Sequence, residues 1–479
     1  MSTGIPPPLV SDLDGTLVRT DTLWESLFTL AREQPLGLLR AAFALPKGRA
    51  AFKARIARLI QPDASSLPLN AELVNWLRDQ SAAGRHLVLA TASDGKIAQL
   101  IADRVGLFDE VLASDGQRNL KGPNKATVLV ERFGRGGFDY VGDSRADLPV
   151  WSAARRAIVV GGPGLAKAAG RVTEVERVFA QPPRFPVLRR ALRLHQWAKN
   201  VLVFLPLLAA HQVGDGSSLV AALLAFLAFG LTASAVYLLN DLLDLGADRR
   251  HPTKCRRPFA AGDLPLAWGL LMTPLLLLGA TAICLLWLPL AFGVVLAGYF
   301  LLTSAYSLDF KRRPILDVMT LASLYTLRVI AGGAAVSIWP SFWLLALSLF
   351  VFLSLALVKR YAELDGLRQR GELTSAGRGW HVDDLHLVGA LGAASGIAAV
   401  LVLALYIDSE TARRLYQLPE ALWLLTPIVL YWVSHIWFKT HRGEMHEDPV
   451  VFAFRDRVSL GLGFMAGCVV LLATRGVSL

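Results

Sequence analysis

The apolar residues of the chain follow two different patterns. Up to about residue 180, short apolar runs such as HLVLATAS (86–93) and FDYVGDS (138–144) alternate with charged segments, as expected for buried strands joined by helices. From about Asn200 onward the runs lengthen to roughly 20 residues, enough to cross a bilayer. Nine spans are predicted, at 199–211, 218–239, 266–283, 286–304, 315–336, 341–358, 387–406, 420–437 and 459–474. Between the halves lies QPPRFPVLRRALRLHQWAKN (181–200). Pro182, Pro183 and Pro186 mark a linker, and Arg189, Arg190, Arg193 and Lys199 around Trp197 predict an interfacial helix on anionic headgroups. The predicted organisation is multidomain: a Rossmann-like α/β domain over 1–180, with helical residues inserted at about 20–85, a linker over 181–198, and an all-α nine-helix transmembrane domain over 199–479. No cleavable signal peptide is expected before Asp12.

Composition supports this division. A hydrophobic content of 54% is high for a soluble protein. The net charge of +11 gathers in the loops after spans 2, 4, 6 and 8, whereas the opposite side carries only Arg413, Arg414 and Arg475. By the positive-inside rule the basic loops and the N-terminal domain are cytoplasmic, at a bacterial inner membrane. A basic face of this kind meets anionic lipid and phosphorylated substrates without any need for nucleic acid. Cys255, Cys284 and Cys468 lack metal or disulfide spacing and are expected to be unpaired.

Four polar signatures punctuate the N-terminal domain. PLVSDLDGTL sets Asp12 and Asp14 after a short strand, HLVLATAS is a strand ending at Thr91, LKGPNKATVL offers Lys125 with Lys121 as competitor, and FDYVGDSRAD is a strand ending in Asp143 with Asp147 four later. Polar groups at successive strand ends imply a parallel sheet whose carboxyl edge forms one site. The set resembles the haloacid-dehalogenase-like (HAD) phosphatases over roughly residues 8–165. The resemblance implies Asp12 as nucleophile and Asp14 as acid/base, with Thr91 and Lys125 binding phosphoryl oxygens. It also implies a Mg²⁺ site of Asp12, Asp14, Asp143 and Asp147, with Asp143 and Asp12 holding the ion and Asp147 supporting that shell. The helical insert would be the cap, and its Lys47, Arg49, Lys53, Arg55 and Arg58 face either substrate phosphate, the bilayer or plain solvent.

The membrane half carries its acids at the end of span 2. In LNDLLDLGADRRHPTKCRRPFAAG (239–262), Asp241, Asp244 and Asp248 follow Asn240 at helical spacing and share one face. Arg249, Arg250, Lys254, Arg256 and Arg257 follow, so one loop offers carboxylates for Mg²⁺ and cations for phosphate oxygens. YSLDFKRRPILDVMTLASLYTLRVIAGG (306–333) adds Lys311, Asp317 opening span 5, and Arg328 three turns deeper, where a buried guanidinium calls for an anionic partner. These motifs resemble the UbiA family of intramembrane prenyltransferases over about 185–479. A DxxxD second motif is missing, and HQWAKN (195–200) and MHEDPVVFAFRDRVS (445–459) resemble its decaprenyl-phosphate phosphoribosyltransferase branch.

That branch implies phosphoribosyl transfer from phosphoribosyl diphosphate to a polyprenyl phosphate. Asp241, Asp244, Asp248 and Asp317 would be the catalytic acids, the first three holding Mg²⁺. Asn240, Arg250, Lys254, Arg257, Lys311 and Arg328 would bind phosphates, and Lys199, Asn200, Asp448, Arg455 and Asp456 would complete the polar rim. Because transfer leaves a 5-phosphate on the sugar, a phosphatase on the same chain has a chemical reason to be there. An aromatic prenyltransferase using a polyprenyl diphosphate donor is the alternative enzyme. A transporter or scaffold, the non-enzymatic alternative, predicts midplane acids and internal repeats.

Overall fold

The computed structural model describes residues 6–475, apart from 35, 38–40, 42–48, 61–62, 116–117, 252, 375–377 and 446–447. Lys47, Pro252, His446 and Glu447 of the motifs above therefore lie outside the described residues. Contacts within the chain define two compact units. One comprises residues 1–192 and 237–273, the other 193–236 and 274–479. The expected division follows chain order, whereas the acidic segment after span 2 groups with the N-terminal residues.

In the first unit, six parallel strands form a sheet in the order β3-β2-β1-β4-β5-β6. They are β1 (Leu9–Ser11), β2 (Leu87–Asp94), β3 (Glu110–Ser114), β4 (Asp139–Gly142), β5 (Arg156–Val160) and β6 (Glu174–Phe179). Their apolar residues alternate between two cores. Leu9, Leu87, Leu89, Val141 and Ile158 face one side, and Val10, Val88, Tyr140 and Val159 face the other. The chain leaves β1 toward β2 on one side and returns to β4 on the other, so the carboxyl end of β1 is the topological switch point. The cap contributes the Thr22–Glu33 and Arg49–Leu59 helices, which pack through Leu23, Leu27, Leu30, Phe52 and Ile56. Asp21 caps the first of them, accepting from the N–H groups of Leu23 and Trp24.

Eight helices among the described residues are long and apolar enough to cross a membrane. They correspond to expected spans 2 to 9. The first expected span is instead a 3₁₀ stretch, Leu194–Phe204, leading into a five-residue helix, Leu205–Ala209. Pro206 lacks a donor, and Lys199 and Asn200 are buried on polar partners described below, so this stretch does not form an uninterrupted apolar rod. The interfacial helix is correspondingly short, Arg184–Ala191. The sixth span differs in the other direction. Its helix runs Phe342–Gln369, so Lys359 and Arg360 stand on a helix and not in the loop expected after residue 358. Leu278 and Leu285 of the Leu266–Trp287 helix, seven residues apart, are two-thirds exposed or more, as lipid-facing residues are.

Candidate functional site

At the carboxyl edge of the sheet, Asp12 follows β1 directly and Asp143 follows β4. The carboxylates of Asp12, Asp143 and Asp147 converge so that one ligand atom from each lies within 4.8 Å of the others. Lys125 is in the first turn of the Pro123–Phe133 helix, not at a strand end as expected. Its buried Nζ lies 2.8 Å from Asp12 Oδ2 and donates to the Tyr140 hydroxyl at 2.8 Å. Lys121 is exposed. Tyr140 in turn donates to Asp147 Oδ1 at 3.1 Å, while Asp147 Oδ2 accepts from the Asp143 and Ser144 amides. Thr91 lies inside β2 and not at its end, fully buried, and its hydroxyl accepts from the Ser93 amide. Gly15 permits the close approach of the two acidic loops. It has φ +74°, and a Cβ there would fall 2.2 Å from Asp143 Oδ2.

Asp14 is held apart from this cluster, its Oδ1 accepting from the Thr22 amide at 2.7 Å and its Oδ2 from the Ser93 hydroxyl at 2.5 Å. Burial, and then the charge of Asp21, pushes its carboxyl up to about 6, against the pull of the Ser93 and Thr22 bonds. A proton is therefore available on Asp14 at mildly acidic pH, as a general acid requires. Burial and the neighbouring Asp12 and Asp147 charges raise Asp143 well above the carboxylate range, and burial with Asp12 raises Asp147. Carboxylates that crowd and repel in this way are what a hard divalent cation relieves. The all-oxygen donor set of Asp12, Asp143 and Asp147 fits Mg²⁺. Ser93 and Tyr140 escaped the sequence reading because each looks like an ordinary strand residue. Lys53 of the cap reaches the same region, donating to the Ala92 carbonyl at 2.9 Å.

The second acidic group stands where the Gly216–Leu243 helix passes into the short Leu245–Arg250 helix. The helix axis breaks at Asp244, yet the bonds Asp244 N–H to Asn240 and Asp248 N–H to Asp244 continue the i to i−4 ladder. Asp241 and Asp248 are buried, Asn240 and Asp244 half-buried. One Arg257 nitrogen binds both buried acids, Asp241 at 3.1 Å and Asp248 at 2.6 Å, which places these two carboxylates on one face. Lys254 is half-buried in a 3₁₀ turn, and Arg250 is exposed and folded back onto the Gly246 carbonyl.

Among the described residues, three polar clusters of the second unit contain expected site residues. In the first, Asp448 receives Lys199 at 2.6 Å, Lys359 at 3.2 Å and the Tyr325 hydroxyl at 3.1 Å. Burial acts to raise its carboxyl, but Lys359 and Lys199 outweigh burial and hold it well below the usual range. In the second, buried Arg328 donates to Asn200 Oδ1 at 3.0 Å, the Leu324 carbonyl at 2.6 Å and Tyr299 at 3.1 Å, with its guanidinium over the Tyr299 ring. These partners are neutral, unlike the anion expected from sequence. The amide and hydroxyl dipoles, the helix carbonyl and the ring face share the charge instead. In the third, fully buried Asp317 accepts from Tyr306 at 2.8 Å and Trp380 at 2.7 Å, with Arg360 at 3.3 Å. Asp456 caps the last helix, accepting from the Ser459 amide and hydroxyl and pairing with His435, while Arg455 is exposed. Lys311 is half-buried in the turn before Asp317. Lys359, Tyr325, Arg360 and Trp380 were not foreseen. The pair Lys359-Arg360 directly after an apolar run was the available signal.

The UbiA prenyltransferase family matches residues 201–455, and the haloacid dehalogenase-like hydrolases match residues 9–152. The protein y4nM of Sinorhizobium fredii is 37% identical over 97% of this chain and 91% of its own length. The nodulation protein NoeC of Azorhizobium caulinodans is 35% identical over 60% of this chain and 94% of its own. The decaprenyl-phosphate phosphoribosyltransferase of Mycolicibacterium smegmatis is 32% identical, again over 60% of this chain, and over 93% of its own. The eight apolar helices, the paired acids that end the first of them and the carboxylate edge of the sheet thus have one explanation: the chain is an integral membrane enzyme that belongs to the UbiA prenyltransferase family and bears an N-terminal haloacid dehalogenase-like domain.

Proposed function

We propose that the protein transfers the phosphoribosyl group of phosphoribosyl diphosphate to a polyprenyl phosphate, decaprenyl phosphate being the acceptor named for the M. smegmatis relative. In this step the bond from the anomeric carbon to diphosphate breaks, a bond from that carbon to the lipid phosphate oxygen forms, and diphosphate leaves. The acceptor is already an anion, so orientation and electrostatics suffice without a strong base. Asp241, Asp244 and Asp248 would hold Mg²⁺, which when bound neutralises charge developing on the leaving diphosphate. Arg257, Arg250, Lys254 and Lys311 supply cations for diphosphate and sugar phosphate, and Lys199, Asn200 and Arg328 supply donors for the lipid phosphate. The observation that carries this reading is that one Arg257 nitrogen bridges the buried carboxylates of Asp241 and Asp248.

The N-terminal domain then removes the 5-phosphate to give polyprenyl-phosphoryl-ribose. Asp12 attacks phosphorus while Asp14 gives its proton to the leaving sugar oxygen. Asp14 next takes a proton from the water that hydrolyses the aspartyl phosphate. Lys125 and Thr91 bind the phosphoryl oxygens, and Mg²⁺ would sit with Asp12, Asp143 and Asp147. The Lys/Arg distribution favours the cytoplasmic side of a bacterial inner membrane for this domain and for the acidic segment.

Purified protein supplied with both substrates and Mg²⁺, with the lipid followed by mass spectrometry, tests the reading. Asp241→Asn is expected to stop transfer, and Asp12→Asn to leave a lipid that keeps its 5-phosphate. Diphosphate released only from a polyprenyl diphosphate and an aromatic acceptor would replace this function with aromatic prenyl transfer.

A further inference from the structure

The segment that carries Asp248 and Arg257 is clasped at both ends by side chains of the phosphatase domain. Arg249, next to Asp248, donates through Nη1 and Nη2 to the two oxygens of Glu25 at 2.9 and 2.5 Å, and through Nε to the Ala260 carbonyl at 3.2 Å. Both side chains of the pair are at most 6% exposed. Glu25 Oε1 also accepts from the Thr20 hydroxyl at 2.7 Å. At the far end, Asp263 receives Arg19 at 2.9 Å and Arg190 at 2.8 Å. Gly262, at φ +71°, lies so close to Arg19 that a Cβ there would meet the Arg19 Cβ at 2.6 Å.

These contacts do more than hold two surfaces together. One guanidinium joins residue 249 to residue 260 and so closes the basic loop on itself, and that loop contains Arg257, the shared partner of Asp241 and Asp248. A buried bidentate pair is a geometric device, since its value lies in fixed orientation more than in net stability. Glu25 and Arg19 also flank Asp21 and Thr22, the residues that cap the first cap helix and hold Asp14.

We propose that Glu25 and Arg19 of the phosphatase domain are positioning residues for the transfer reaction, holding the loop from Arg249 to Asp263 in the shape that presents Asp248 and Arg257 to the donor diphosphate. The proposal rests on the transferase reading above. It means that the phosphatase domain serves transfer even when its own chemistry is silenced.

The test uses the full chain in detergent or nanodiscs, with Glu25→Gln, Arg249→Met and the conservative Glu25→Asp. The KM for phosphoribosyl diphosphate is expected to rise on the order of ten- to a hundredfold in the first two. The change in kcat should be smaller, hydrolysis of p-nitrophenyl phosphate should be retained, and Glu25→Asp should recover part of the loss. Hydrogen exchange should quicken in residues 249–262 and not across the chain. An unchanged KM together with unchanged exchange would overturn the proposal. So would a uniform loss of protection accompanied by loss of phosphatase activity, which would show a general folding role. If the unaltered protein releases no diphosphate from phosphoribosyl diphosphate, the transferase reading falls, and the exchange measurement still decides whether the clasp shapes the loop.

Discussion

Asp448→Asn is the sharpest probe of the membrane domain. The carboxylate serves Lys199 and Lys359 together, and the substitution leaves both ammonium groups without their shared counter-charge. Lys199 is 9% exposed and loses most, whereas Lys359 at 37% keeps water for part of its charge. Breaking a buried pair from one side costs about 3–5 kcal/mol, and the exposure of Lys359 argues for the lower end, about 3 kcal/mol. For a domain of this size that is a fall in apparent Tm of roughly 6–12 °C. Lys199→Met should cost less, roughly 1 kcal/mol, because Asp448 keeps Lys359 and the Tyr325 hydroxyl. The double variant should therefore be more stable than the sum of the two losses predicts, with a coupling of about 2 kcal/mol. Thermal unfolding of the detergent-solubilised chain, followed by tryptophan fluorescence at one scan rate, measures all three. An Asp448→Asn midpoint within about 1 °C of the parent, or strictly additive losses, would refute the view that one carboxylate holds two cations in place.

Three further outcomes follow from the phosphatase site. Gly15→Ala should lower hydrolysis of a small phosphate ester on the order of a hundredfold, since its Cβ collides with Asp143 and its backbone is left-handed; a steady-state assay beside an unaffected transfer rate checks it. Tyr140→Phe removes the hydroxyl that links Lys125 to Asp147, and should cost about 1–3 kcal/mol in denaturant unfolding together with a slower hydrolysis. In EDTA the stability of the chain should fall as pH rises. Burial raises Asp14 from 3.8 to about 6, so its contribution is complete below pH 3.8 and lost on passing through about 6, where the folded state must ionise a buried carboxyl. Saturating Mg²⁺ should flatten that slope, and a pH series of melting curves with and without the ion reads the difference.

Much of this was legible in the sequence where the signal is local. Asp12, Asp14, Asp143 and Asp147 sit in short motifs at the ends of strands whose apolar runs are unmistakable, so the sheet edge and its acids could be read together. Lys121 precedes the Pro123–Phe133 helix and Lys125 stands inside its first turn, a difference that LKGPNK alone does not carry. What the sequence hid depends on partners far away along the chain. Two consecutive cations after an apolar run usually mark an interface, yet Lys359 and Arg360 continue a helix because Asp448 and Asp317 wait for them. Arg249 looked like one more phosphate-binding cation, although its guanidinium is committed to Glu25 more than two hundred residues earlier. Ser93 and Tyr140 carry hydroxyls on buried strand residues, and no periodicity distinguishes such a hydroxyl from an inert one.

The charge balance of the second unit bears on which acceptor it can hold. Lys199, Lys359 and Arg328 are three cations, and Asp448 is the carboxylate that meets two of them, while Arg328 rests on an amide, a carbonyl, a hydroxyl and a ring face. Among the described residues, the buried Nδ2 of Asn200 has no hydrogen-bond partner, although the Oδ1 of the same side chain is bound by Arg328. A buried donor left unmet costs about 1–3 kcal/mol, and an anion with several acceptor oxygens would meet it together with the largely buried Lys199. A lipid phosphate supplies both the charge and the oxygens, and its apolar tail needs no polar partner at all. The surplus of donors therefore fits the lipid phosphate that the proposed transfer takes as its acceptor.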